Sequence, residues 1–155
     1  MPRPAITIPV SVDFTGVTIP PPRTAWTAPM PVCTVTSVVE VNGPTQITWE
    51  LSSPAVPAGY TLMFSIFTPE MDKVEPIAFA AVQNADKTTT VWTGPRPTRA
   101  DDTHVTLMDT DTQQGTFEYT VWYLLVHNSD QTRTVPVLED PDIQNTGGKR
   151  LVITP

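Results

Sequence analysis

Apolar and polar residues alternate with a period of two over many short stretches of this chain. The clearest is residues 116–125, TFEYTVWYLL, which sets Phe117, Tyr119, Val121, Tyr123 and Leu125 on one side and Glu118, Thr120 and Trp122 on the other. Such a period, carried by β-branched and aromatic residues, is that of a half-buried strand. Turn-forming residues bound it, Gln113-Gln114-Gly115 before and Asn128-Ser129-Asp130 after. Residues 6–12, 34–41, 46–51, 60–67, 77–83, 88–93, 104–108, 132–138 and 150–154 repeat the theme, and residues 60–67 are apolar on both faces, as in a central strand. Residues 68–75 are polar, with room for one helical turn. About nine to eleven short strands separated by turn signals predict an all-β domain, a single antiparallel Greek-key sandwich.

Proline punctuates this pattern. The chain has eighteen prolines in 155 residues, more than twice the usual share of about 5 %. They cluster between the strands, as at Pro20-Pro21-Pro22, Pro29 and Pro31, and Asn42-Gly43-Pro44 marks a turn. Pro9 interrupts the first alternation; having no N–H to donate to a ladder, it predicts an edge strand with that position facing outward. The expected organisation is one domain over 1–155: an N-terminal edge strand and Pro-rich arm in 1–31, and a sandwich body in 32–155.

Charge and composition narrow the partners. A net charge of −7 disfavours nucleic acid and anionic membranes, and the longest basic cluster is Lys149-Arg150. No apolar run approaches the roughly 18–20 residues of a membrane span, and the first residues carry no apolar core of a secretory signal. Cys33 stands alone, so no disulfide forms within the chain. These features predict a cytoplasmic protein, with a virion or signal-independent release as the other expected destinations.

Two resemblances add to this reading. Gly115-x-Phe117-x-Tyr119 resembles the sixth-strand pattern of immunoglobulin-type domains, with Phe117 in the place of the corner Tyr and Tyr119 in the place of the Cys; Trp49 would be the core Trp of an earlier strand. This resemblance implies an immunoglobulin-like sandwich. The run YTVWYLLVHNSD and then LEDPDIQN at 138–145 resembles the close of the small bacterial proteins called the DP-EP family, in which a late strand is followed by a DP-x-I-x-N segment. Asp140, Pro141, Ile143 and Asn145 match that segment, and Thr146-Gly147-Gly148 departs from it. The resemblance implies a bacterial β-sandwich and no assigned active site.

Candidate chemistry is sparse. Asp109 with Asp111, and Asp140 with Asp142, are candidate oxygen ligands for a structural Ca²⁺, since hard cations take six to eight oxygens. They lack the EF-hand spacing, and loop aspartates commonly make Asx turns instead. Cys33, His104 and His127 are the residue types of a blue-copper centre, but Cys33 lies early and far from either His. No G-x-S-x-G elbow occurs, and Glu50, Glu70, Glu75 and Glu118 carry no distinguishing context. The expectation is therefore no catalytic residue and no cofactor.

The tryptophans are more telling. Trp49 shares its face with Ile47 and Leu51 and belongs to the core. Trp92 and Trp122 alternate with polar neighbours, and Trp26 sits in the Pro-rich segment. Uncovered aromatics on a sheet either anchor protein interfaces or stack on sugar rings. The first strand, with Ile6, Ile8 and Val10, followed by a stiff proline linker, suits strand exchange. The sequence thus predicts a non-enzymatic structural or interaction protein, a homo-oligomer or a component docking on a larger bacterial or phage assembly. The alternative is a carbohydrate- or other ligand-binding module using Trp92 and Trp122.

Overall fold

The described residues hold fourteen short strands: β1 (Ala5–Asp13), β2 (Val32–Val35), β3 (Val38–Asn42), β4 (Gln46–Ser52), β5 (Tyr60–Phe64), β6 (Ile77–Ala80), β7 (Val82–Gln83), β8 (Thr89–Thr90), β9 (Thr98–Asp101), β10 (His104–Leu107), β11 (Gly115–Val121), β12 (Tyr123–His127), β13 (Arg133–Thr134) and β14 (Arg150–Thr154). The computed structural model describes residues 4–20, 27, 29, 31–36, 38–64, 76–80, 82–83, 86–108, 115–129, 133–134 and 150–154, and no helix occurs among the described residues. The helical turn expected within 68–75 lies outside them. Three expected strands are each divided in two, at 34–41, 77–83 and 116–125, and β9 is a strand that the alternation does not announce.

The first sheet has the order β2-β1-β4-β10-β9. β1 pairs antiparallel with β2 but parallel with β4, from Ala5↔Gln46 to Ser11↔Ser52. In register, Ile6, Ile8 and Val10 lie beside Ile47, Trp49 and Leu51, and Leu107 and Val105 of β10 continue the rows to the other side of β4. The opposite face is polar: Thr7, Thr48, Thr106 and Thr98 form one row across four strands, and Pro9, Glu50, His104 and Asp101 the next.

Two expectations are corrected here. The fold is not antiparallel throughout, since β1–β4 and β3–β14 are parallel pairs. Alternation reports which face a residue takes and is blind to strand direction. Nor is β1 an edge strand; it has a neighbour on each side. Pro9 is accommodated because β2 ends at Val35 opposite Val10, leaving Pro9 just outside that ladder, where a missing donor breaks no bond.

β3, β14, β11 and β6 form a second sheet, and β13, β12 and β5 a third. Only Trp122 separates β11 from β12, so the two sheets run on into one another. Along one side of this strand lie β5 and β6 end to end, with Phe64 opposite Tyr123 and Ile77 opposite Val121. Along the other lie β13 and β14, with Thr134 opposite Leu125 and Arg150 opposite Glu118. β7 and β8 form a separate two-stranded ribbon.

One buried core draws on all three sheets: Ile8, Val10, Val12, Trp49 and Leu51 from the first meet Phe117, Tyr119, Val121, Tyr123, Phe64 and Leu151 from the others. Trp49 and Tyr119 meet edge to face, centroids 5.5 Å apart at 71°. Such pairs contribute about 0.5–1.5 kcal/mol beyond area burial. Gly43 has φ 67°, the left-handed conformation that the expected turn between β3 and β4 requires and glycine adopts without strain.

The Tyr119 hydroxyl and the Trp49 indole nitrogen are both buried, and among the described residues neither has a partner in hydrogen-bond geometry. Burial pushes the Tyr119 hydroxyl pKa up, and the nearby Trp49 N–H offsets part of that rise. A buried hydroxyl with no bond carries a desolvation penalty of about 1–3 kcal/mol. Tyr119→Phe should therefore leave the denaturation midpoint unchanged or raise it. A loss of about 1 kcal/mol or more in urea unfolding would show that the hydroxyl holds a bond worth keeping.

Candidate functional site

β1 and its slot are the first candidate. Ile8, Val10 and, further along, Val12 are buried, and Ile6 packs half-buried against the same core. Phe14, Val17 and Ile19 beyond the strand also pack on the core, and Val17 N–H donates to the Phe14 carbonyl (3.0 Å). The end of the strand is shaped by Asp13, whose Oδ1 accepts from the N–H and hydroxyl of Thr15 at 2.9 and 2.6 Å. Asp13 stands directly opposite Val32, so a two-residue hairpin turn would join β1 to β2. The chain instead uses residues 14–31.

The second candidate is a cleft of about 270 Å³ lined by Ile77, Phe79, Val91, Trp92, Thr93, Arg96 and Pro97 among others. Trp92 stacks on Phe79 at 4.7 Å and 23°, and meets the edge of Phe117 at 5.0 Å. Its indole N–H donates to the Pro95 carbonyl (2.9 Å). Trp92 is thus half-buried in its own chain's aromatic cluster, which reaches Trp49 through Phe79 and Tyr119. Trp122 is also half-buried, and its N–H donates to the Pro76 carbonyl (2.8 Å). Trp26, Asp109, Asp111, Asp140 and Asp142 lie outside the described residues, as does the segment 138–145.

A polar cluster that the sequence reading missed lies on the outer face of the first sheet. His104 Nδ1 is 2.8 Å from Asp101 Oδ1 and 3.0 Å from the Thr103 hydroxyl, and its Nε2 is 3.1 Å from Glu50 Oε2. Sequence could have supplied half of it: Asp101-x-Thr103 repeats the Asp13-x-Thr15 and Asp86-x-Thr88 arrangement, in each of which the aspartate accepts from the N–H and hydroxyl two residues on. Glu50 comes from another strand and has no local signature. A bulge in the β9–β10 pairing puts Arg99 beside Val105, and Arg99 pairs with Asp102.

Carboxylates flank both ring nitrogens of His104. Hydrogen bonds to Asp101 and then to Glu50 raise the His104 pKa above its ordinary 6.5. When the ring is protonated it donates on both sides, to Asp101 Oδ1 and to Glu50 Oε2. His127 belongs to a different sheet, with Nδ1 2.8 Å from the Ser129 hydroxyl and its ring edge-on to Tyr60. Among the described residues no three His, Cys, Asp or Glu side chains converge as metal ligands, and no helix is long and apolar enough to cross a membrane. Compared with family models and with curated proteins, the chain matches none.

His104 should leave a signature in the pH dependence of stability. Its folded-state pKa is raised, so its contribution is fully present below about pH 6.5 and is lost as pH rises through the raised value. Asp101 is lowered, chiefly by the hydrogen bond from His104, so its contribution is present above pH 3.8 and lost as pH falls through the lowered value. Denaturation of wild type and His104→Gln across pH should show their difference largest between these limits and shrinking above pH 6.5. Parallel curves for the two proteins above that pH would refute the ion pairs.

Proposed function

We propose that this is a non-enzymatic structural or interaction protein that works by self-association, or by docking on a larger bacterial or phage assembly, built on an immunoglobulin-like Greek-key sandwich. The strand neighbourhoods support the sandwich. β4, β10 and β9 correspond to strands B, E and D; β5 with β6, β11 with β12, and β14 correspond to C, F and G. β2 and β3 then form a first strand that starts in one sheet and finishes in the other. On this correspondence the Trp49–Tyr119 pair occupies the place where antibody domains carry the B–F disulfide.

The observation that carries the assembly reading is the position of β1. It occupies the place beside strand B that β2 would otherwise fill, contributes apolar side chains to the core, and is tied on by a Pro-rich connection far longer than its ends need. Loops of more than about 12–15 residues within a compact domain are uncommon and usually have a use.

The cleft beside Trp92 favours a second reading, a ligand-binding module for carbohydrate. On that reading oligosaccharides change the tryptophan fluorescence of the wild type and not of Trp92→Phe.

Light scattering on a sizing column over a range of concentrations tests the assembly reading. The expected result is a mass that rises in multiples of 17.0 kDa. A mass of one chain at every concentration would contradict it and turn attention to the cleft.

A further inference from the structure

We infer that β1 is exchanged between copies of this chain: residues 4–19 leave their own slot and enter the slot between β2 and β4 of a second copy, residues 20–31 acting as the hinge. The inference rests on the assembly reading above and names its partner and route. The exchanged unit is set by packing, since Ile8, Val10, Val12 and Phe14 are buried in the core, and Ile6, Val17 and Ile19 lie against it. All of these contacts are re-formed when an identical slot receives the strand, so exchange forfeits no burial.

The hinge supplies the bias. Residues 20–31 hold Pro20, Pro21, Pro22, Pro29 and Pro31. Proline fixes φ near −65° and favours extended chain. Twelve residues, five of them proline, reach up to about 40 Å, enough to pass from one molecule to its neighbour. In the closed form the whole connection, 14–31, must instead begin and end at neighbouring points, because Asp13 and Val32 are paired. A segment built of extending residues is poorly matched to a return connection and well matched to a bridge.

The slot also provides its own probe. Val12 stands directly opposite Cys33 in the antiparallel β1–β2 ladder, and both side chains are buried. Opposed residues there have Cβ atoms about 4.5–5.5 Å apart, close enough for a disulfide after small adjustment. Cys33 is the chain's lone cysteine, so Val12→Cys creates a single pair.

The test is to oxidise Val12→Cys, separate the monomer and oligomer fractions, and run each on a non-reducing denaturing gel. Exchange predicts that the oligomer fraction is joined covalently between chains, that reduction releases it, and that Cys33→Ser in the same background abolishes the link. It also predicts that monomer oxidised at low concentration no longer associates. In the wild-type protein, which needs no folded variant, an excess of a synthetic peptide of residues 4–19 should cap the oligomers and lower their mass. Oligomers that carry only intrachain disulfides and ignore the peptide overturn exchange while leaving self-association standing. Monomers throughout overturn both.

Discussion

The fold depends on the inward row of β1. Ile8, Val10 and Val12 close one side of the core against Trp49, Leu51 and Cys33. Each such side chain contributes about 1.5–3 kcal/mol relative to exposure, and their sum is of the same order as the whole stability of a domain, about 5–15 kcal/mol. An empty slot is therefore a costly, sparsely populated state. The strand that fills it pairs with β2 and β4, and its covalent tie to the body runs through residues 20–31. Under the proposed exchange, hinge geometry and concentration decide whether the occupant comes from the same chain or another, because the contacts are the same in both cases.

The other layer is organised around one long strand line, β11 and β12. Phe117, Tyr119, Val121, Tyr123 and Leu125 keep a single alternation through the interruption at Trp122, and all five are buried. β12 is more deeply set, since Leu124 and Val126 on its opposite face are buried too. The aromatic series Trp49, Tyr119, Phe79 and Trp92 runs from the centre of the core to the cleft at its edge. Trp92 is thus a core residue on one side and a cleft wall on the other.

The sequence carried the faces of the strands well. The sides given to 46–51 and 116–125 are those found, the turn at Gly43 is where Asn42-Gly43-Pro44 places it, and Trp49 lies in the core. Strand sense and neighbours were not legible, because a period of two is the same in either direction and says nothing of what pairs with what. Proline at position 9 pointed to an edge, whereas only the half of β1 before Val10 lacks β2 as a neighbour. The sheet change between β2 and β3 is invisible in a continuous β-branched run. The His104 cluster escaped for a related reason: Glu50 and His104 become neighbours only once β4 and β10 are in register.

Residue-resolved amide hydrogen exchange under increasing denaturant tests the central claim most directly, that β1 is a separable unit completing an otherwise intact body. The account predicts that β1 amides exchange through an opening of lower free energy than those of β10 and β11, with a different denaturant dependence. Equal protection and a common, global opening for all three strands would contradict it.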